Sequence, residues 1–313
     1  KDVQIFERNL MGNIITLHQD LMAKAYRHSP YQAFNISDPK PRNIHKASVR
    51  DRLLHHAVYR TLYPYFDKRF ISDSYSCRLN KGTHKAINQF RNYSRKVSRN
   101  NTKQCWILKC DIKKFFASID HQILRYIVVE YLDRNTQWLL DEIVGSFHTN
   151  RSHPVSASHP SPCQGEGKRG EVYKGLPLGN LTSQLLVNIY MNEFDQFVKH
   201  KLKVKYYIRY ADDFVMIHQD KEYLKSLIPR ISDFLETNLK LTLHPNKVFI
   251  KTLSSGIDFL GWVHFPNHRV LRTTTKRRMM KNLQNNPSEE TRASYLGLLR
   301  HGNTWKLRSE IEK

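Results

Sequence analysis

The spacing of apolar and polar positions predicts several amphipathic helices. Over residues 3–27 the apolar side chains recur at near-helical intervals, which predicts one long amphipathic helix. Serine or aspartate before such a pattern is typical of an N-cap, because its side-chain oxygen accepts from a backbone N–H of the first turn. Further helices are predicted at 48–66 with Ser48 as N-cap, at 82–98, after the N-cap Asp120, from Leu181, at 221–239, and in the basic tail 275–313 with Ser288 as N-cap.

Strands are predicted where apolar residues are continuous or alternate with polar ones. The run CWILKCDI, residues 105–112, is apolar at successive positions apart from Lys109 and Asp111, and it predicts a buried strand. Residues 31–47 alternate and contain prolines, which favours short or edge strands. A hairpin is predicted at 204–217, and the segments 241–250 and 257–265 are predicted to pair with each other. Because strands and helices alternate irregularly, the predicted fold class is α+β around an antiparallel sheet.

Residues 148–172 interrupt these patterns. They are rich in Ser, Pro, Gly and His and carry almost no large apolar side chains, so we expect a mobile loop or insertion. The histidines and Cys163 of this segment fit no zinc-ligand spacing.

The four cysteines include no C-x-x-C pair, which favours free thiols in a reducing compartment. The chain shows no run of about 18 apolar residues and no signal-peptide core, so we expect a cytoplasmic protein without a membrane partner.

The charge balance indicates a polyanionic partner. The 313 residues include 51 Lys and Arg against 28 Asp and Glu, a formal net charge of +23. Self-repulsion on this scale is usually tolerated when a polyanion neutralises it, and nucleic acid is the commonest such partner. A solvated basic surface is the alternative. Hydrophobic residues make up 40% of the chain and aromatic residues 11%, which is typical of a globular protein.

Three aspartates suggest a metal site. The stretch YIRYADDFVMI, residues 207–217, places Asp212 beside Asp213, and in an extended strand these side chains would point to opposite faces. A turn at Ala211–Asp212–Asp213 would let both project near one end of the sheet. Asp111 ends the apolar strand, so a third carboxylate protrudes from a rigid element. Three such oxygen donors suit two Mg²⁺ ions. Taken singly, each aspartate also fits a turn or a helix-flanking position.

Several segments, in order along the chain, resemble reverse transcriptases. They are PKPRNIHKASVRDRLLHHAV, SYSCRLNKGTHKA, DIKKFF, GLPLGNLTSQLLVNIYMNEFD, YADD, LTLHPNKVFI and IDFLGW. The resemblance covers about residues 30–265 and is to the bacterial, group II intron-like branch. It implies a right-hand polymerase with fingers, an antiparallel-sheet palm and a short helical thumb. The implied division is an N-terminal helical extension at 1–30, fingers at 31–104 with parts of 117–180, a palm at 105–270 that includes the insertion, and a thumb at 271–313.

One motif narrows the resemblance within that branch. Most reverse transcriptases carry Gln-Gly in the nucleotide-pocket motif, whereas this chain has Leu178-Gly179 followed by Ser183-Gln184, a form similar to diversity-generating retroelements. That similarity implies error-prone cDNA synthesis and a small basic accessory protein. Another group II-like reverse transcriptase, from phage defence or derived from an intron, is the alternative. A nucleic-acid-binding scaffold with a decayed site is a third interpretation, which the intact aspartates disfavour.

The resemblance assigns the chemistry to particular residues. It implies that Asp111, Asp212 and Asp213 hold two Mg²⁺ ions, for which Mn²⁺ can substitute, and that Ile112 lends a backbone carbonyl. Lys247 matches the position that protonates the leaving pyrophosphate; a surface lysine is the alternative interpretation.

Further positions match the binding of nucleotide and nucleic acid. Phe116 matches the aromatic gate against the 2′-hydroxyl of a ribonucleotide, with an ordinary core phenylalanine as the alternative. The other implied nucleotide contacts are Lys40, Arg42, Phe115, Leu178, Gly179 and Gln184. The implied contacts to an RNA template and a DNA or RNA primer are Arg78, the primer-grip residues Phe259, Leu260, Gly261 and Trp262, and the thumb residues Lys276, Arg277 and Arg278. The remaining expected partners are dNTPs.

Overall fold

The computed structural model describes residues 2–37, 41–149 and 173–312. Lys40, Cys163 and nearly all of the expected insertion at 148–172 therefore lie outside the described residues. The chain forms two compact units. The first consists of Lys1–Ile71, Lys113–Asp195 and Phe234–Thr242, and the second of Ser72–Ile112, Gln196–Asp233 and Leu243–Lys313.

Helices and strands are mixed along the chain, in agreement with the predicted α+β class. The helices are α1 Asp2–Glu7, α2 Leu10–Met22, α3 Val49–Asp67, α4 Thr83–Val97, α5 Phe115–Ser118, α6 His121–Val129, α7 Arg134–Gly145, α8 Leu181–Gln196, α9 Lys221–Leu239, α10 Thr273–Asn285, α11 Glu289–Leu299 and α12 Trp305–Glu312. The strands are β1 Gln32–Ile36, β2 Arg42–Lys46, β3 Trp106–Asp111, β4 Tyr207–Tyr210, β5 Asp213–His218, β6 Phe249–Thr252, β7 Ile257–Phe259, β8 Trp262–His264 and β9 Arg269–Leu271.

The second unit contains a four-stranded antiparallel sheet with strand order β4-β5-β3-β6. Its inner strand β3 is the apolar run predicted from the sequence, and Ile107, Leu108 and Cys110 on it are fully buried. A strand that is covered on both faces needs apolar residues at successive positions, which explains the adjacent buried residues Ile107 and Leu108.

The predicted partner of residues 257–265 is wrong. In the structure β6 pairs with β3, and β7 pairs with β8 and β8 with β9 in a separate antiparallel sheet. The reason is the two-residue connection Leu260–Gly261, where both residues have positive φ, 51 and 87. Such a loop closes a local hairpin, so the segment pairs with itself.

The predicted helix over 3–27 is also wrong in its continuity and its end. It divides into α1 and α2, and α2 ends at Met22. Asn9 has the non-helical φ of −130 and precedes α2, so the helical backbone is interrupted there. Ile5 and Met11 are 66% and 68% exposed. Since these apolar side chains are not packed in a core, burial does not enforce a single continuous helix.

Local capping signals in the sequence are confirmed. The side chain of Ser48 accepts from Asp51 N, and Ser288 accepts from Thr291 N. Asp120 accepts from the N–H groups of the first turn of α6. The short helix α5 and the helix α7 were not predicted. No helix in the described ranges is both long and apolar enough to cross a membrane.

Candidate active site

The hairpin of β4 and β5 carries the two adjacent aspartates. Tyr210 pairs with Asp213 at the end of the ladder, so the loop contains only Ala211 and Asp212. Ala211 has φ 55, and a positive φ at the first position of a two-residue loop suits the twist of the paired strands. The predicted turn included Asp213, which is wrong, because this residue begins β5. Asp212 is therefore presented by the loop and Asp213 by the strand.

Asp111 and Asp213 lie directly opposite each other on β3 and β5. Residues in this relation share one face of the sheet with Cβ atoms about 4.5–5.5 Å apart, and two like charges there repel. Two lysines neutralise them. Lys109 Nζ lies 3.2 Å from Asp213 Oδ2, and Lys247 Nζ lies 3.0 Å from Asp111 Oδ1. One end of the sheet thus holds a cluster of alternating charges.

Backbone contacts bring Lys247 to this cluster. His244 N donates to Asp111 O at 2.8 Å, and Lys247 N donates to His244 O at 3.0 Å. Ile112, which follows Asp111, is buried and forms an isolated antiparallel bridge with Leu243. The segment before β6 is therefore fixed to the end of β3. The proposed roles of Ile112 and Lys247 in chemistry stay predictions.

The electrostatics of Asp213 suit a cation. Burial raises the pKa of the Asp213 carboxyl to about 7, Lys109 opposes the rise, and the negative charges of Asp212 and Asp111 add to it. Its Oδ1 is buried and accepts no hydrogen bond from the described residues. A buried acceptor without a donor costs free energy unless a cation or a proton fills its place.

Divalent metal ions fit this donor set, because carboxylate oxygens are their preferred ligands. One of these oxygens, Asp213 Oδ1, accepts no hydrogen bond from the residues that the structure describes. Across the described parts of the chain, however, no three His, Cys, Asp or Glu side chains are grouped closely enough to hold one ion. Asp111 and Asp213 thus form the part of the predicted site that is already assembled, with lysine ammonium groups against both carboxylates.

A buried arginine that the sequence interpretation missed supports the hairpin loop. Arg209 on β4 is fully buried, and its guanidinium donates to Ala211 O at 3.2 Å and to Ser74 Oγ at 3.1 Å. Its backbone also pairs with the segment around Ser74, through Asp73 O and Tyr75 N. The signal in the sequence is a charged residue within the apolar run YIRY. Arg209 therefore connects the loop that presents Asp212 to the segment that precedes Arg78.

The nucleotide-pocket motif around Leu178 and Gly179 contacts strand β2 within the first unit. Gly179 has φ 110, and a Cβ on it would lie 2.9 Å from Ile44 Cγ2 on β2, so glycine is required by conformation and by space. Leu178 O accepts from His45 N at 3.0 Å. Arg42 is exposed on the same strand, and Ile44 is two positions further along and so on the same face.

Phe116 is half-buried in α5 and is joined to the same motif. Its carbonyl accepts from Leu176 N at 2.8 Å. Its ring makes an edge contact with Phe115, which is buried. Gln184 is half-buried in α8. Phe116, Leu178, Gly179 and Arg42 therefore belong to one hydrogen-bonded region of the first unit, whereas Phe115 contributes to its core.

Sequence comparison identifies the family. The pattern of the reverse transcriptase (RNA-dependent DNA polymerase) family matches residues 36–264. The chain belongs to the reverse transcriptase family. The family's activity is RNA-directed DNA polymerisation, which agrees with the expected enzyme class, and its members generally use divalent metal ions.

Curated relatives support a group II intron-like reverse transcriptase. Protein YkfC of Escherichia coli is 25% identical, over 97% of this chain and 82% of its own length. The group II intron-encoded protein LtrA of Lactococcus lactis is 22% identical, over 84% of this chain and 51% of its own length. A putative COX1/OXI3 intron 2 protein of Saccharomyces cerevisiae is 20% identical. The chain spans only about half of LtrA and 33% of the yeast protein.

Solved structures support the fold of this reverse transcriptase. Telomerase from Candida tropicalis, truncated of its C-terminal domain, matches 84% of this chain and 60% of its own with a TM-score of 0.52 and 13% identity. The same enzyme in complex with a fragment of telomeric RNA gives the same TM-score over 79% of this chain. At this identity the likeness is one of fold.

The residues expected to contact nucleic acid in this reverse transcriptase differ in exposure. In the segment expected to form the primer grip, Phe259 and Trp262 are buried in the core, so only the Leu260–Gly261 turn between them is accessible to a ligand. Arg78 donates to Ser74 O at 3.0 Å. On α10, Lys276 and Arg277 are exposed, and Arg278 is half-buried.

Proposed function

We propose that the chain copies an RNA template into cDNA by extending a primer with dNTPs, as a right-hand polymerase of the diversity-generating type. The observation that carries the proposal is the carboxylate pair Asp111 and Asp213, opposite each other across two strands, with Asp212 in the adjoining loop. A buried acceptor oxygen on Asp213 supports cation binding at the same place.

Each group at the site has a distinct proposed role. Asp111, Asp212 and Asp213 hold two Mg²⁺ ions, which when bound activate the attacking hydroxyl and stabilise the leaving phosphate. Lys247, which is held against Asp111, donates a proton to the leaving pyrophosphate. Lys109 opposes the rise in the pKa of the Asp213 carboxyl, since an opposite charge favours the charged form. Arg42 contacts the triphosphate.

The direct test is primer extension on an RNA template with and without Mg²⁺. Asp111→Asn and Asp212→Asn each remove one negative charge at nearly constant shape, so extension is expected to fall to below a few per cent of wild type. RNA binding, measured by fluorescence anisotropy, should change little. Asp220→Asn, beyond the other end of β5, is the matched control, because asparagine caps the following helix as well as aspartate does. Extension by either site variant above a few per cent, or by wild type in EDTA, would contradict the assignment.

The assignment of the chain to the diversity-generating type rests on Leu178 and Gln184. In most reverse transcriptases a glutamine at the first of these positions offers a hydrogen bond near the sugar of the incoming nucleotide, whereas leucine offers only apolar contact. A net hydrogen bond contributes about 0.5–1.5 kcal/mol, so its absence lowers discrimination by roughly threefold to tenfold. Error-prone copying, preferentially at template adenine, is the consequence that the family resemblance implies.

Sequencing of cDNA separates this branch from other group II-like enzymes. We expect wild-type cDNA to carry frequent errors opposite adenine, and Leu178→Gln to reduce them by roughly threefold to tenfold. Leu176→Met, two residues earlier at a buried position, controls for a repacked segment. The reaction should include any accessory protein encoded beside the gene. Uniformly accurate wild-type copying would favour the alternative, an intron-derived or phage-defence reverse transcriptase, and would leave the polymerase assignment intact.

A further inference from the structure

A cavity of about 430 Å³ lies in the second unit, and none of the residues to which a role was assigned above is among its described lining residues. Its walls are the C-terminal half of α4, the turn between β8 and β9, and the loop between α11 and α12. We call it the Arg269 cavity, after the residue at the start of β9 that lines it. Its volume falls within the range of small-molecule sites, which is about 300–1,000 Å³.

The lining of the Arg269 cavity is strongly basic. Arg91, Arg269 and Arg300 contribute three guanidinium groups, and the described lining residues include no Asp or Glu. Burial, and then the neighbouring charge of Arg91, lowers the pKa of Arg269. Burial and the charge of Arg269 lower the pKa of His264 to about 4. Positive charge is therefore concentrated here without a compensating carboxylate in the wall.

Three polar atoms of the lining are buried without a partner. They are Ser94 Oγ, His264 Nε2 and Arg269 Nη1, and none of them makes a hydrogen bond to any residue in the described ranges. Buried polar groups are normally paired, and leaving one unpaired lowers stability, more so for a charged group. Three such atoms in one basic cavity indicate that a ligand with several oxygen atoms supplies the missing partners.

The walls of the cavity are fixed before any ligand arrives. Arg269 Nε donates to His301 O, and Asn303 N donates to Arg269 O at 2.8 Å. The His301 ring stacks on that of His84 with centroids 3.6 Å apart. Gly302 lies so close to the Trp262 ring that a Cβ would overlap it. The guanidinium of Arg269 is thus held in place, which reduces the entropy cost of binding.

We propose that the Arg269 cavity binds a phosphate group. Guanidinium groups form strong, charge-assisted and often bidentate hydrogen bonds with phosphate oxygens. A phosphate also offers acceptor oxygens to Ser94, and its negative charge favours a proton on His264, whose Nε2 then donates. The phosphate belongs either to a small phosphorylated molecule or to the backbone of a bound nucleic acid, and these two sources are separable by experiment.

The first measurement is calorimetric titration of the full chain with sodium pyrophosphate in EDTA, which suppresses binding that depends on a divalent metal. Repeating it with saturating single-stranded RNA distinguishes the sources. Loss of pyrophosphate binding in the presence of RNA identifies nucleic-acid phosphate as the occupant. Unchanged binding identifies a small phosphorylated ligand. Both results require that wild type binds pyrophosphate saturably.

Variants locate the binding. Arg269→Gln should weaken it by about tenfold or more, and Arg91→Gln with Arg300→Gln, both exposed, should weaken it without disturbing the core. Ser94→Ala removes an unpaired buried hydroxyl, so it should leave thermal stability unchanged or raised while weakening binding by roughly threefold to tenfold. Arg292→Gln, exposed on α11, removes one charge as Arg269→Gln does, so it is the matched control for that variant and should bind as wild type.

Two results would overturn the proposal. One is the absence of saturable pyrophosphate binding by wild type. The other is equal binding by Ser94→Ala, the Arg91 and Arg300 double variant and the Arg292 control, which would mean that pyrophosphate binds elsewhere on the basic surface. Neither result bears on primer extension, so the test is independent of the polymerase activity.

Discussion

At the residue scale, the two adjacent aspartates of the hairpin have different surroundings, because one lies in a strand and the other in the loop. Asp213 is a strand residue opposite Asp111, so it is half-buried on a rigid face, where its carboxylate pairs with the ammonium group of Lys109. Asp212 belongs to the loop, which Arg209 supports from beneath through the Ala211 carbonyl. On a single strand, two adjacent carboxylates would point to opposite faces of the sheet. With one aspartate on the strand and the other in the loop, this restriction does not apply.

Phe116 provides the prediction at this scale. Phe116→Ala removes a half-buried ring from α5, and we expect incorporation of ATP relative to dATP to rise by roughly tenfold, because the clash with the 2′-hydroxyl disappears. The measurement is single-nucleotide incorporation opposite template uridine. Tyr126→Ala, an exposed aromatic on α6 that is 72% exposed, is the control for truncating a ring in the same unit. Equal discrimination by wild type and Phe116→Ala would show that the gate lies elsewhere.

At the element scale, a buried polar chain joins α3 to α8 within the first unit. His28 Nδ1 lies 3.9 Å from Asp51 Oδ2, and the ε nitrogens of His28 and His55 are 3.0 Å apart. His55 Nδ1 lies 2.5 Å from Thr182 Oγ1, in the motif that also contains Leu178. Burial, and then the charge of His28, lowers the pKa of His55 to about 4. Packing of these helices therefore depends on a neutral His55.

Acid is accordingly expected to destabilise the fold. An unfolded histidine has a pKa of about 6.5, so between pH 6.5 and 4 the unfolded chain binds a proton that folded His55 does not, and stability falls as pH falls. From pH 7.5 to pH 5 this one group contributes a loss of about 2 kcal/mol in the free energy of unfolding. Urea denaturation at the two pH values should show a smaller loss for His55→Gln than for wild type. His18→Gln, exposed on α2, is the control; an equal loss in all three proteins would contradict the role of His55.

Elements with local signals could be predicted from the sequence, and those set by distant contacts could not. Ser48, Asp120 and Ser288 cap helices as expected, because a cap depends on residues within one turn. The partner of β6 was mistaken, since two short apolar segments carry no information about which strand each will meet. Likewise, the four residues of α5 are too few to show a helical period.

The same distinction holds for the candidate site. The order of motifs selected Asp111, Asp212 and Asp213 as candidates, and the structure places Asp111 opposite Asp213; their role in chemistry stays a prediction. The lysine partners of the carboxylates and the hydrogen bond from Arg209 to Ser74 depend on contacts between residues more than a hundred positions apart. The Arg269 cavity depends on the burial of single atoms. Such contacts leave no periodic pattern, so only the folded structure reveals them.

At the scale of the whole molecule, a net charge of +23 favours binding to any nucleic acid. A surface that contacts RNA phosphates causes the release of counterions from the RNA. Its contribution is therefore measured by how much it changes the salt dependence of binding. The exposed residues Lys276 and Arg277 of α10 are candidates for such a surface. For single strands, the slope of log K against log salt concentration is about −0.7 for each phosphate that the protein neutralises.

Salt dependence therefore tests whether α10 contacts the template. We expect the double variant Lys276→Gln, Arg277→Gln to weaken RNA binding and to reduce the magnitude of the slope by about 1.4, because two phosphate contacts are lost. The matched control is Arg60→Gln, Lys68→Gln, which removes the same charge from two exposed positions at the end of α3 and should change the slope little. The measurement is fluorescence anisotropy of labelled RNA from 50 to 300 mM KCl, in roughly equal logarithmic steps that resolve the slope. If both variants reduced the slope equally, binding would reflect net charge alone, and α10 would have no particular contact with the template.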